Sequence, residues 1–109
     1  MKTNAYAVIL TTTSSLGEAE KIARALLAGK LAACVQVLPI KSYYPWQGQV
    51  QVDDEQLLLI KCRSADFEAI ATCIRANHSY ELPEIVQLPI TNGLQDYLGW
   101  ISQVTGERS

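Results

Sequence analysis

The residues best suited to chemistry lie in one short run, residues 77–85, which contains the only histidine of the 109-residue chain. His78 is followed closely by Tyr80, Glu81 and Glu84, which supply a phenol and two carboxylates. Histidine titrates near neutral pH and is the commonest metal ligand in proteins. An imidazole with two carboxylates favours a hard or borderline divalent ion over Cu(I). His78 is therefore the candidate metal ligand, and Glu81 and Glu84 are its nearest partners in sequence.

A structural role for His78 is the main alternative. The residues before it have the spacing of a helix, so His78 falls near a helix C-terminus. A protonated histidine there stabilises the helix by about 0.3–1 kcal/mol through the helix dipole.

Enzymatic motifs are missing from the sequence. It has no P-loop, no GxGxxG fingerprint and no Ser/His/Asp order. Residues 11–17 are rich in hydroxyl groups and could hold an anion before a helix, but they lack the arginine of a phosphate-cradling loop. The acidic run Asp53-Asp54-Glu55 is typical of a solvated hairpin face, because a calcium loop needs more oxygen ligands at regular spacing. We therefore expect no catalytic activity.

Composition narrows the class of protein further. Hydrophobic residues make up 49% and charged residues 18%, with a net charge of −2. A basic stripe for nucleic acid is missing, and no apolar run approaches the ~20 residues of a membrane span. The start of the chain does not resemble a signal peptide, so we expect a cytoplasmic protein. The length suits a single domain over residues 1–109.

The three cysteines, Cys34, Cys62 and Cys73, are widely spaced and form no CxxC motif. An odd number at this spacing does not suit a disulfide framework or a zinc knuckle. We expect them to act mainly as small buried hydrophobic residues.

Hydrophobic periodicity predicts the elements that must position these residues. Ser15 and Glu18 form a capping box at the start of the first helix, and Gly29 ends that helix. Pro39 suggests a bulge in the second strand, and the acidic run suggests another in the third. The predicted strands cover residues 6–12, 33–44, 49–62 and 84–88, and the helices cover 15–29, 64–77 and 94–104. The last helix is expected to turn Leu94, Tyr97, Leu98 and Ile101 inward, and residues 105–109 to fray.

The order β-α-β-β-α-β with a short C-terminal helix predicts an α+β, ferredoxin-like fold on an antiparallel sheet. Right-handed crossovers then place the first two helices on one face of that sheet. The second and third strands are each about 12 residues long, or about 40 Å at ~3.3 Å per residue. Such a hairpin should extend beyond its own core, so we expect it to pair with another copy of the chain.

Several segments resemble the CutA family of divalent-cation tolerance proteins. The matching motifs occur in order at residues 31–35, 43–48, 78–85, 88–93 and 97–100. The resemblance covers residues 6–102 and implies a homotrimer similar to PII signalling proteins, in which the long hairpin pairs with a neighbouring subunit. It also implies a non-enzymatic role in tolerance of copper and other divalent ions.

Metal ligands can be transferred from this resemblance only position by position. In copper-binding relatives the implied ligands are a cysteine at the end of the first strand and a histidine pair before the Tyr-x-x-Pro-Glu run. Those positions hold Thr11, Asn77 and His78 here, so only His78 keeps a ligand side chain. We therefore expect weak or indirect binding of a divalent ion such as copper.

A second reading is a PII-like sensor that binds a small anionic metabolite or a partner protein in clefts between subunits. Lys61 would pair with Glu81 near the end of the third strand, where ligands often bind. Cys34 would either face the same cleft or be buried. Tyr80 and Trp46 would either line the cleft or pack in the subunit interface. The candidate cleft residues are therefore Cys34, Trp46, Lys61, Tyr80 and Glu81.

Overall fold

The structure is a computed structural model that describes residues 4–106. Its elements are β1 (Tyr6–Thr13), α1 (Leu16–Ala28), β2 (Cys34–Trp46), β3 (Gln49–Arg63), α2 (Phe67–Ala76), β4 (Val86–Pro89) and α3 (Gln95–Val104). A single 3₁₀ turn, Ser64–Asp66, leads into α2. The strands form one antiparallel sheet in the order β2-β3-β1-β4. The predicted α+β, ferredoxin-like fold is confirmed.

The core lies between the sheet and the pair α1 and α2. Alternate residues of β1 and β3 point to this side, and Ile9 lies directly opposite Ile60 across the two strands. The helices contribute residues spaced three or four apart, as the periodicity predicted. The fully buried hydrophobic residues of this core are Ala7, Ile9, Ala19, Ile22, Leu26, Leu58, Ile60, Cys62, Ile70 and Ile74.

The predicted capping box of α1 is only half formed. The Ser15 hydroxyl accepts a hydrogen bond from the backbone N–H of Glu18 at 3.1 Å, as an N-cap should. The Glu18 carboxylate does not return to Ser15. It reaches instead to Ser79, which lies 61 positions later in the chain. A tertiary contact has therefore taken the place of the local one.

The β2–β3 hairpin is longer and more regular than the sequence indicated. Its pairing runs in one unbroken register from Cys34 opposite Lys61 to Trp46 opposite Gln49. The bulges expected at Pro39 and at residues 53–55 were therefore wrong. Pro39 is tolerated because β2 is an edge strand, where a missing N–H need not break the sheet.

A two-residue turn closes the hairpin. Gln47 and Gly48 both have positive φ, at 51° and 78°, as a type I′ turn requires. The turn matches the right-handed twist of the strands, so the hairpin can extend far beyond the helices. The described residues measure 47 Å along their longest axis, close to the ~50 Å that a 15-residue strand spans at ~3.4 Å per residue.

The C-terminal helix α3 packs on the sheet face opposite α1 and α2. The hydroxyls of Tyr6 and Ser102 are hydrogen-bonded at 2.6 Å, and Ile101 is fully buried. Leu94 and Tyr97 were predicted to point inward, but they are 75% and 38% exposed. Leu94 is exposed because it is the N-cap of α3, with an extended backbone, and so lies before the first helical residue. Tyr97 is partly exposed because the sheet covers α3 on one side only, which suffices to bury a single row of residues.

The fraying predicted for the tail is wrong at its first residue. Thr105 is fully buried and its hydroxyl donates to the carbonyl of Ile101 at 2.7 Å. Residues 107–109 lie outside the described part of the chain. None of the helices between residues 4 and 106 has the length and hydropathy needed to cross a membrane.

Candidate functional site

His78 sits in a loop, residues 78–85, between α2 and β4. Its Nε2 lies 2.6 Å from the carbonyl oxygen of Thr12, and its Nδ1 accepts a hydrogen bond from the backbone N–H of Tyr80 at 3.0 Å. Because Nδ1 accepts and the carbonyl can only accept, the proton belongs on Nε2. Both ring nitrogens are therefore occupied by backbone groups, and His78 joins its loop to the end of β1.

Two further side-chain contacts hold the same loop. The Glu18 carboxylate accepts hydrogen bonds from the backbone N–H of Ser79 at 2.7 Å and from its hydroxyl at 3.2 Å. The Tyr80 hydroxyl donates to Oε2 of Glu55 at 2.7 Å. The loop is thus tied to α1, β1 and β3, although it has no regular secondary structure of its own.

An open cavity of about 640 Å³ lies between this loop and the outer part of the hairpin. Residues opposite each other in the β2–β3 register share a face, and Ser42 lies opposite Asp53 on the face that lines the cavity. The aromatic part of the lining is Tyr44, Trp46 and Tyr80, and the acidic part is Asp53, Glu55, Glu81 and Glu84. Thr12, Ser42 and Leu82 complete it.

Hydrogen bonds organise the floor of the cavity. The hydroxyl of Ser42 donates to Oε1 of Glu55 at 2.6 Å, so Glu55 receives one bond from β2 and one from Tyr80. Asp53 accepts hydrogen bonds from the Tyr44 hydroxyl and from the Gln51 amide. These bonds hold the pKa of Asp53 below its usual value. Asp53 therefore keeps its negative charge in the floor near neutral pH.

The two tyrosines of the floor remain protonated over the same range. The hydrogen bond to Asp53 raises the pKa of Tyr44. Burial and then the hydrogen bond to Glu55 raise the pKa of Tyr80. Only a protonated hydroxyl can donate to a carboxylate, so the raised pKa of each tyrosine preserves the hydrogen bond that raises it.

Comparison with known proteins identifies the family. The family model described as CutA1 divalent ion tolerance protein matches residues 7–104. The chain belongs to the CutA1 family. The divalent-cation tolerance protein CutA of Archaeoglobus fulgidus is 43% identical over 95 residues, which is 87% of this chain and 93% of that protein. Its solved structure, described as that of a periplasmic protein, has a TM-score of 0.89 and 40% identity, and the match covers 93% of this chain and 99% of that one.

A plant relative is longer than this chain. The chloroplastic protein CutA of Arabidopsis thaliana is 41% identical over 105 residues. The match covers 95% of this chain but spans only 58% of the plant protein. The CutA1 match thus concerns the domain that both proteins share.

Thr11 and Asn77 have structural roles here. They occupy the two further positions at which the resemblance to CutA implied metal ligands. Thr11 is fully buried on the core side of β1, and its hydroxyl has no hydrogen-bond partner. The Asn77 amide donates to the carbonyl of Cys73 at 2.8 Å and so caps the end of α2. Neither side chain is directed at His78 by a hydrogen bond that the structure records.

The residues around His78 do not fit a metal ion as they are arranged. Within residues 4–106, no three His, Cys, Asp or Glu side chains converge to hold one. The imidazole can coordinate an ion only if one of its nitrogens gives up its hydrogen bond, either that of Nδ1 with the Tyr80 N–H or that of Nε2 with the Thr12 carbonyl. Burial raises the pKa of the Cys62 thiol to about 12 and also raises that of Cys73, which disfavours the thiolate that metals bind. The metal site at His78 stays a prediction.

The five predicted cleft residues separate into two groups. Trp46, Tyr80 and Glu81 line the cavity. Cys34 and Lys61 lie directly opposite each other at the far end of the hairpin. There the Lys61 ammonium lies 5.8 Å from the centre of the Tyr97 ring, a cation–π contact, rather than beside Glu81.

Sequence reasoning missed the acidic floor of this cavity. The run Asp53-Asp54-Glu55 was interpreted as a solvated break, but it continues β3 without interruption. Asp53 and Glu55 face the cavity, whereas Asp54 points to the other side and pairs with Lys41 at 2.7 Å. The strand alternation could have separated them, because residues two apart share a face.

Proposed function

We propose that this protein acts in tolerance of divalent metal ions, copper among them, as a homotrimer without catalytic activity that binds metal weakly or indirectly. Membership of the CutA1 divalent ion tolerance family supports the role in metal tolerance. Weak or indirect binding is supported above all by the two hydrogen bonds that engage both ring nitrogens of His78 with backbone groups. An ion at this ring must displace a hydrogen bond worth about 0.5–1.5 kcal/mol, which lowers affinity by roughly 2- to 10-fold.

Titration calorimetry with Cu(II) and Zn(II) tests the metal role. We expect weak binding that weakens further in a His78→Ala variant. A Glu68→Gln variant is the control, because Glu68 lies exposed on α2, outside the cavity. Equal affinities in the parent and the His78→Ala variant would show that His78 is not a ligand. Tight binding in both would contradict weak or indirect binding.

Two features of the structure support the trimer. The strand β2 is an edge of the sheet and β4 is the other edge, so both carry unpaired backbone groups. One face of the outer hairpin is apolar and uncovered, with Tyr43 68%, Val50 73% and Val52 45% exposed. Contacts between two different edges are heterologous, and such contacts close into a ring when the rotation allows it. Light scattering should give three times the 12.0 kDa of the chain, and a monomer would contradict the proposal.

The volume of the cavity supports the alternative of a PII-like sensor, but the charge of its lining does not. A volume of about 640 Å³ lies within the ~300–1,000 Å³ of small-molecule sites. Four carboxylates on its lining oppose an anionic metabolite. The hydroxyl groups before α1 are also engaged, since Thr13 donates to the Ser15 carbonyl and the Ser15 hydroxyl caps α1. A thermal-shift screen of nucleotides and organic acids should therefore give no stabilisation.

We also propose a cytoplasmic location. The three free cysteines, Cys34, Cys62 and Cys73, support it, because thiols stay reduced in the cytosol. The relatives differ in this respect, since one is described as periplasmic and another as chloroplastic. Cell fractionation of the source organism with an antibody against the full chain decides between these compartments.

A further inference from the structure

The cavity between the hairpin and residues 78–85 combines aromatic walls with dispersed negative charge. Tyr44, Trp46 and Tyr80 contribute ring surface, and among residues 4–106 no lysine, arginine or histidine lines the cavity. We propose that this cavity binds a linear aliphatic polyamine, an organic cation whose charges are spaced along a hydrocarbon chain. This ligand differs from the metal ion of the proposed function, and its binding does not depend on His78.

The distribution of the carboxylates separates a polyamine from a metal ion. Asp53 and Glu55 lie on the floor formed by β3, and Glu81 and Glu84 lie on the loop at the other side. A single ion needs several oxygens at about 2.0–2.6 Å, and no such group of three forms within residues 4–106. An extended cation can meet separated carboxylates with separate ammonium groups.

The volume and the aromatic rings fit the rest of such a ligand. About 640 Å³ is far more than one ion fills, and it lies in the usual range for organic ligands. Ammonium groups bind over the faces of Trp and Tyr, and methylene groups pack against the same rings. In a single copy of the chain, Trp46 is 59% exposed and Leu82 is 88% exposed, so this copy offers apolar surface to the hydrocarbon chain.

The carboxylates of the loop are the ones available to bind an ammonium group. Asp53 and Glu55 already accept two hydrogen bonds each from the chain. Glu81 and Glu84 are exposed, and no residue between 4 and 106 is recorded as donating a hydrogen bond to either carboxylate. Substituting these two should change binding with little effect on folding.

The test is a titration of the full chain with spermidine, followed by calorimetry and by tryptophan fluorescence, in which a Trp46→Ala variant separates the signal of Trp46 from that of Trp100. We expect saturable binding that weakens at least tenfold in a Glu81→Gln/Glu84→Gln variant and also in a Trp46→Ala variant. Asp54→Asn is the matched control, because Asp54 neighbours Asp53 in β3 but faces the opposite side. It should leave the affinity within about twofold, and circular dichroism should show all variants folded.

Spacing of charge is tested with two dications. At equal ionic strength, 1,4-diaminobutane should compete with spermidine, whereas Mg²⁺ should compete at least tenfold less well. Equal competition by Mg²⁺, or equal weakening by Asp54→Asn, would show a general charge effect and overturn the proposal. No saturable binding would overturn it too. A loss of Cu(II) binding in His78→Ala bears on the metal role alone, so the two proposals fail independently.

Discussion

The two halves of β3 belong to one strand in one register, yet their surroundings differ completely. In the inner half, Leu58, Ile60 and Cys62 are fully buried against α1 and α2. In the outer half, Val50 and Val52 are 73% and 45% exposed on the same side of the strand. The helices are too short to cover the whole hairpin. The inner half therefore stabilises the subunit, and the outer half is left for ligands and for other copies of the chain.

The largest expected effect comes from truncating the inner half. An Ile60→Ala substitution should lower the free energy of unfolding by about 2–5 kcal/mol, because it removes buried surface and leaves a cavity. Urea unfolding followed by circular dichroism measures the change. Leu27→Ala on α1, where Leu27 is 44% exposed, is the control and should cost much less. Equal losses would show that the two sites do not differ in packing.

The second effect concerns thiol reactivity in the inner half. Burial raises the pKa of Cys62 from 9.0 to about 12, so its thiolate fraction at pH 8 should be roughly a thousandfold below that of the unfolded chain. Iodoacetamide labelling with peptide mass spectrometry should leave Cys62 unmodified in the native protein and modify it in urea. Half-buried Cys34 provides the internal comparison. Rapid native labelling of Cys62 would mean that the inner half opens readily.

The third effect concerns assembly through the outer half. A Val50→Asp substitution places a charge on the uncovered apolar face of the hairpin and should weaken trimer association at least tenfold. Sedimentation over a range of concentrations measures it. Leu27→Asp introduces the same charge on α1 and should leave the oligomeric state unchanged. If both variants assemble like the parent, the outer hairpin face is not an interface.

The smallest effect is expected at the loop that borders the cavity. A Tyr80→Phe substitution removes the hydrogen bond to Glu55 and should cost about 0.5–1.5 kcal/mol. Hydrogen exchange should increase at residues 78–85 and not in β1. Tyr43→Phe is the control, because Tyr43 is 68% exposed on the opposite face of the hairpin. Unchanged exchange in Tyr80→Phe would show that the other contacts hold the loop alone.

Local patterns predicted the elements well wherever the signal was itself local. The periodicity of Ile70 and Ile74, the cap at Ser15 and the succession of helices and strands along the chain all follow from local patterns. The errors occurred where a distant element intervened. Glu18 binds Ser79 rather than completing its capping box, and Tyr97 stays partly exposed because α3 meets the sheet on one side only.

The site was less predictable than the fold for the same reason. The run around His78 stood out by its residue types, and three of the five cleft residues do line one cavity. Lys61 and Cys34 were grouped with them because ligands often bind near strand ends, but the register puts both at the end of the hairpin away from Trp46. Asp53 and Glu55 escaped notice because an acidic run in isolation is typical of solvent exposure.

By itself the sequence determined the order of the elements and the presence of a long hairpin, because hydrophobic period and turn chemistry act over a few residues, and its motifs indicated the CutA family. Only the tertiary structure decided what His78 does. Its two nitrogens are engaged by Thr12, 66 positions away, and by Tyr80. Such a pairing depends on how α2 and β1 meet in space, and no local pattern contains that information. The same packing brings Tyr80 to Glu55 and so builds the wall of the cavity.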